Sequence, residues 1–229
     1  MNNYNPTGIL LIILSAIVII FPATAYSGEA VGFYDQGVSL LAYGNYSQAV
    51  GSFEQAIQRE PGYFEAWDGK ADALNRAHDY PLALAASNNS LQINPSYVKG
   101  WINRGQILYS LGFMYEDQFH DAKKADAYYN EQLAAFEKAV ALDPENAEAW
   151  FNKGYALCGM GRCSEGILAF ERVGELDPGY PYLEGNIKNA RILAESQKPF
   201  YVKYGQWLVL LFLICAGSGW WIYAHKRRR

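Results

Sequence analysis

The sequence predicts an all-α fold, a solenoid of stacked helical hairpins, on three observations. Pro61, Pro95, Pro144 and Pro178 lie 34, 49 and 34 residues apart. Trp67, Trp101 and Trp150 repeat the first two of those intervals. Between each aromatic and its proline a small residue keeps its place, at Gly37, Ala71, Gly105 and Gly154. A period near 34 residues with this pattern marks one helix pair per unit, each stacking on the next.

The units align residue by residue. Their fourth place holds Phe33, Trp67, Trp101 and Trp150, and their eleventh Leu40, Leu74, Leu108 and Leu157. The twentieth holds Ala49, Ala83, Gln132 and Gly166, so the third unit departs there. The twenty-fourth holds Phe53, Ser87, Phe136 and Phe170, which makes the second helix of unit two the weakest match. This skeleton resembles the tetratricopeptide repeat (TPR). The resemblance implies a right-handed α-solenoid of four hairpins over residues 30–180, with units 30–63, 64–97, 98–146 and 147–180. Such a fold is a scaffold, and function lies in its exposed side chains.

Taken in order, the chain begins with an apolar run, Ile9 to Phe21, followed by Ala23-Thr24-Ala25. Thirteen residues at about 1.5 Å each fall short of a bilayer core of about 30 Å. Residues 1–25 therefore read as a signal peptide cut after Ala25, or as an uncleaved N-terminal anchor. In unit one, Gly44 and Asn45 suit the turn between helices. In unit two, Asp79 can cap a second helix whose first turn tolerates Pro81. The proline closing each unit disfavours helical geometry in the residue before it.

Unit three carries about 15 extra residues, near 113–127, without Pro or Gly. Leu108, Tyr115 and Phe119 continue one apolar stripe, and Ala125, Tyr129, Gln132 and Phe136 another. That pattern predicts a hairpin lengthened by about two turns per arm, reversing near His120 and Asp121. The alternative is a turn at Gly112 followed by one long second helix. Residues 181–198 form an amphipathic run, with Leu183, Ile187, Ala190 and Leu193 in line, and read as a capping helix.

Residues 204–224 read as a transmembrane helix. No charge occurs between Tyr204 and Ala224, and aromatic residues flank both edges. The tail 225–229 is basic, which places it in the cytoplasm and the repeats outside, in a single-pass cell-membrane protein. The chain has net charge −4, of which Lys226 to Arg229 contribute +4, so the remainder carries −8. An acidic surface argues against a nucleic-acid partner. The Cys215–Gly219 stretch offers small residues for helix pairing, which would allow a homo-oligomer and the alternative role of a structural, self-associating component of an envelope or secretion complex.

No P-loop, GxSxG or HExxH motif occurs, and the three histidines are scattered. The expectation is a binding protein without catalytic residues, cofactor or metal. Glu116 and His120, one helical turn apart, share a helix face that could ligate a metal, but a solvated hairpin tip is far more common for such residues. Cys158 and Cys163 span a turn and read either as a disulfide or as two buried small residues. Asn45-Tyr46-Ser47 is a glycosylation sequon placed in a turn.

The TPR resemblance implies a ligand groove on the first helix of each unit. Carried onto this chain, it comprises Tyr34, Val38 and Leu41, then Asp68, Asp72, Asn75 and Arg76. Lys99, Ile102, Gln106 and Tyr109 follow from unit three, and Phe151 and Tyr155 from unit four. This surface is apolar at its ends and acidic in unit two. It suits a protein or peptide segment with apolar anchors and a basic residue.

Overall fold

The computed structural model describes residues 26–198 and 200–203. Among the described residues nine helices stack in sequence: α1 Gly28–Ala42, α2 Tyr46–Arg59, α3 Phe64–Arg76, α4 Tyr80–Ile93, α5 Val98–Asp117, α6 Ala122–Leu142, α7 Ala147–Gly159, α8 Cys163–Leu176 and α9 Leu183–Gln197. A single further turn, α10, covers Phe200–Lys203. The N-terminal segment 1–25, the membrane segment 204–224 and the tail 225–229 lie outside the described residues. Among the described residues no helix is long and apolar enough to cross a membrane.

Each hairpin is closed by the same local chemistry. One residue between its helices takes left-handed φ: Gly44 (77°), His78 (64°), His120 (51°) and Gly161 (78°). That geometry lets the chain reverse within three or four residues. In units two and three the second helix then starts on an aspartate cap. Asp79 accepts from the Leu82 amide at 3.5 Å, and Asp121 from the Lys124 amide at 3.0 Å. A β-carbon in left-handed geometry costs about 1–2 kcal/mol. His120→Gly is accordingly expected to raise stability by about 0.5–1 kcal/mol, read as a higher urea midpoint.

Packing between helices follows the small residues at the eighth place. A β-carbon built on Gly37 would lie 2.7 Å from the Phe53 ring, on Gly105 2.3 Å from Phe136, and on Gly154 2.9 Å from Phe170. In units one, three and four the first helix is thus pressed onto a buried phenylalanine of its partner helix. Unit two has Ala71 and Ser87 at these two places, and the buried Ser87 hydroxyl has no hydrogen-bond partner among the described residues. Its second helix is therefore held by smaller contacts, chiefly Ala83, Ala86 and Leu91.

Successive units are joined through the indoles. Trp67 donates from Nε1 to the Pro61 carbonyl at 3.1 Å, Trp101 to Pro95 at 2.8 Å, and Trp150 to Pro144 at 2.9 Å. The cation one turn on, Lys70, Arg104 or Lys153, lies over its indole and also pairs with a glutamate of the preceding or same unit. These partly exposed ion pairs add little to stability.

The chain reverses in unit three at Gln118 to Asp121, and Gly112 lies inside α5. A β-carbon there would meet the Tyr129 ring at 2.5 Å, so this glycine seats an aromatic of α6. Both arms of the third hairpin thus extend past the ends of their neighbours in the stack. At the C-terminal end, α9 covers Phe170 and Val173 with Leu183 and Ala190.

Candidate functional site

The odd-numbered helices line one groove, because α1 touches α3 and α3 touches α5 as well as their hairpin partners. Nine of the groove positions expected from sequence surround one cavity of about 400 Å³: Tyr34, Val38, Leu41, Asp68, Asp72, Arg76, Lys99, Ile102 and Gln106. Glu65 and Glu148 join its rim, and Asn103 its floor.

Asp68 is the chemical centre of this cavity. It is only 4 % exposed, and its Oδ1 accepts from Asn103 Nδ2 at 2.8 Å. The same amide reaches the Asp68 carbonyl at 3.2 Å, and the Tyr97 hydroxyl lies 3.5 Å from Oδ2. Burial pushes the Asp68 carboxyl up to about 6, against the pull of Asn103, the Lys99 charge and Tyr97. The Tyr97 hydroxyl is itself pushed well above the usual phenol range, first by burial and then by Asp68. Asp72 is bound up with Arg76 in an ion pair of 2.8 Å one turn along α3. The cavity therefore presents four carboxylates against two cations, one of the two already paired.

Not all the expected groove residues gather here. Phe151 lines neither this cavity nor the one described below. Its ring packs 5.4 Å from Phe170 and 4.9 Å from Tyr180, in the core beneath the cap. Tyr34 packs in the same way in unit one, 5.8 Å from Phe53 and 5.1 Å from Tyr63, so the two differ in the helices beside them and not in how the ring is seated. Asn75 is also outside the cavity, and its Oδ1 is buried without a partner. Tyr109 and Tyr155 are in ring contact with each other, 6.5 Å apart, and belong to a second cavity between α5, α6 and α7. Asn103 was not expected at all. It sits beside the groove positions in sequence and is drawn in only by the pairing with Asp68 across two units.

The remaining candidates resolve into local structure. Glu116 accepts from the Tyr129 hydroxyl at 2.7 Å, and His120 Nδ1 sits 3.3 Å from the Glu116 carbonyl. No group of metal-ligating side chains gathers among the described residues. Cys158 and Cys163 are free thiols; Cys163 is buried and points its sulfur at the Cys158 carbonyl, 3.6 Å away. Burial pushes the Cys158 thiol up to about 12, with the neighbouring thiol adding to it. Asn45 is exposed at the start of α2, and its side chain makes no capping bond.

Comparison with known proteins agrees with this architecture. Residues 34–98 and 135–168 match the tetratricopeptide repeat family. The chain is 38 % identical over 86 residues to the cytochrome c-type biogenesis protein CcmH of Escherichia coli, covering 37 % of this chain and 24 % of that protein. It is 31 % identical over 78 residues to tetratricopeptide repeat protein 33 of Xenopus laevis, covering 34 % and 30 %. The chain thus spans about a quarter to a third of the length of these relatives. Among solved structures it resembles a thermophilic TPR protein of Thermus thermophilus, with a TM-score of 0.61 at 18 % identity over 83 % of this chain and 97 % of that one. It also resembles YrrB, described as a TPR protein with an unusual peptide-binding site, with a TM-score of 0.54 at 18 % identity over 74 % and 79 %. At such identities the likeness is one of fold: an all-α TPR solenoid.

Proposed function

We propose that the protein is a membrane-anchored TPR scaffold that holds a protein or peptide segment in the groove of its odd-numbered helices, outside the cytoplasm. The observation that carries the binding role is the cavity around Asp68. It combines an apolar wall (Tyr34, Val38, Leu41, Ile102) with an excess of carboxylates, which suits an apolar side chain followed by a basic one. Nothing in its chemistry calls for a reaction, and the protein acts by binding. The membrane reading rests on the uncharged run 204–224 and the basic tail after it. Tethering keeps a partner at the membrane and raises its effective concentration there. Asn45 is the position at which a glycan is accommodated without disturbing the groove.

Site-specific photo-crosslinking in native membranes tests this reading. A photoreactive residue replaces Tyr34, Asp72 or Gln106 in the groove, with exposed Gln58 on α2 as the control. Adducts with another chain from the groove positions alone support the proposal. Equal labelling from Gln58, or none from any position, would sink it.

A further inference from the structure

The second cavity, of about 520 Å³, owes its shape to the lengthened third hairpin. It opens where α5 and α6 overhang the end of α7, so a hairpin of ordinary length would not form it. Tyr109, Tyr129 and Tyr155 provide three aromatic walls, with Tyr109 6.2 Å from Tyr129 and 6.5 Å from Tyr155. The half-exposed Phe113 extends them toward the rim. Tyr129 is fixed in place, its ring lying against Gly112 and its hydroxyl donating to Glu116.

Two carboxylates, Glu116 and Asp126, complete the lining, and no cationic side chain contributes to it. Neither acid is in an ion pair among the described residues. An independent feature points into the same space. Gln132 occupies the place where the other units carry alanine or glycine, and it lines this cavity. The residue is only 5 % exposed, and its amide makes no hydrogen bond to a described residue and is not fully buried, so what access it has is through the cavity it lines. An amide that keeps its oxygen and nitrogen open to a cavity is available there to a ligand's polar group.

We propose that this cavity binds the guanidinium of an arginine side chain presented by a protein partner. Aromatic faces attract a cation through their quadrupole, and the two carboxylates supply the opposite charge. The choice of guanidinium follows from Gln132. A quaternary ammonium has no donor to satisfy a glutamine carbonyl, and a lysine ammonium is a compact point charge. A guanidinium is flat enough to stack on tyrosine and carries five donors for Glu116, Asp126 and Gln132 together. The site is separate from the Asp68 cavity, and its test needs no knowledge of the partner.

The experiment is an NMR titration of the full chain with ring-labelled tyrosine, using N-acetyl-arginine methylamide as probe. Its neutral isostere, the citrulline derivative, and tetramethylammonium serve as comparisons. The Tyr109, Tyr129 and Tyr155 resonances are expected to shift and saturate with arginine. Citrulline should bind about tenfold more weakly, the ratio for losing one charge-assisted contact. Gln132→Ala, which restores the residue type of the other units and leaves the fold intact, is expected to weaken arginine binding about fivefold, and Asp126→Asn by a similar factor. Equal shifts with citrulline, no saturation, or affinities unchanged in both variants would overturn the proposal. Tighter binding of tetramethylammonium than of arginine would overturn the guanidinium assignment.

Discussion

Replacing Phe136 with alanine is expected to cost about 3–5 kcal/mol of stability, the range for emptying a buried aromatic site. Phe136 is 2 % exposed and lies where the first helix of unit three presses closest on the second. The loss would appear as a lower urea midpoint by far-UV circular dichroism. A second substitution separates the cause from a general weakening. Gly105→Ala alone is expected to cost about 1–3 kcal/mol, because its methyl would fall 2.3 Å from the Phe136 ring. In Gly105→Ala/Phe136→Ala that clash is gone and the methyl partly fills the vacated space. The double variant should therefore be less damaged than the sum of the two. Strict additivity would mean that the two residues do not meet as the packing requires.

The second large effect is expected at Asn103, and it should depend on pH. With Asp68 ionised, Asn103→Ala leaves a buried carboxylate without its best donor, at a cost of about 2–3 kcal/mol at pH 7.5. The Asp68 carboxyl has its folded-state pKa raised from 3.8 to about 6. Between those values the folded protein holds a proton that the unfolded chain has released. The stabilisation from this proton is fully present below pH 3.8 and is lost as pH rises through 6. The Asn103→Ala penalty should accordingly shrink as the pH is lowered from 7.5 to 5. Asp68→Asn carries no proton to lose. Relative to it, the parent protein should lose up to about 3 kcal/mol between pH 4 and 7. Melting curves of parent and Asp68→Asn that stay parallel over this interval would show that another group titrates.

The repeat frame was legible because it is written in residues whose geometry admits few substitutes. An indole that must reach a proline carbonyl, a glycine under a phenylalanine ring and a proline ending a helix recur at fixed places. The long third hairpin was legible as well, since two apolar stripes ran through the extra residues without a breaker, though the sequence left a turn at Gly112 open. The site was less so. Assigning groove positions by the repeat pattern treats every unit alike, and the units differ in what covers them. Phe151 packs on Phe170 and Tyr180 as Tyr34 packs on Phe53 and Tyr63, yet only Tyr34 has the helices beside it that close the Asp68 cavity. Asn103 enters through a partner 35 residues away, and no local periodicity encodes that pairing. Gln132 did stand out as a departure from the pattern, but its meaning required the cavity that the hairpin builds beside it.

The three indole-to-proline bonds have a mechanical side. Each spans the joint between one hairpin and the next, so together they act as stops on the pitch of a coil. The joint between the fourth hairpin and α9 is built differently. Six residues after Pro178, where the other joints place tryptophan, stands Glu184, and an ionised carboxylate has no proton to donate to that carbonyl. The apolar seat of Leu183 and Ala190 on Phe170 and Val173 holds it instead, with an exposed ion pair of 3.6 Å between Arg191 and Glu171. The joints between hairpins thus carry a hydrogen-bonded stop that the joint to the cap does not have. Under load from the C-terminal side, α9 would peel away before any hairpin swung. A cargo seated near Asp68 would be shielded from such a pull by the yielding of that last joint.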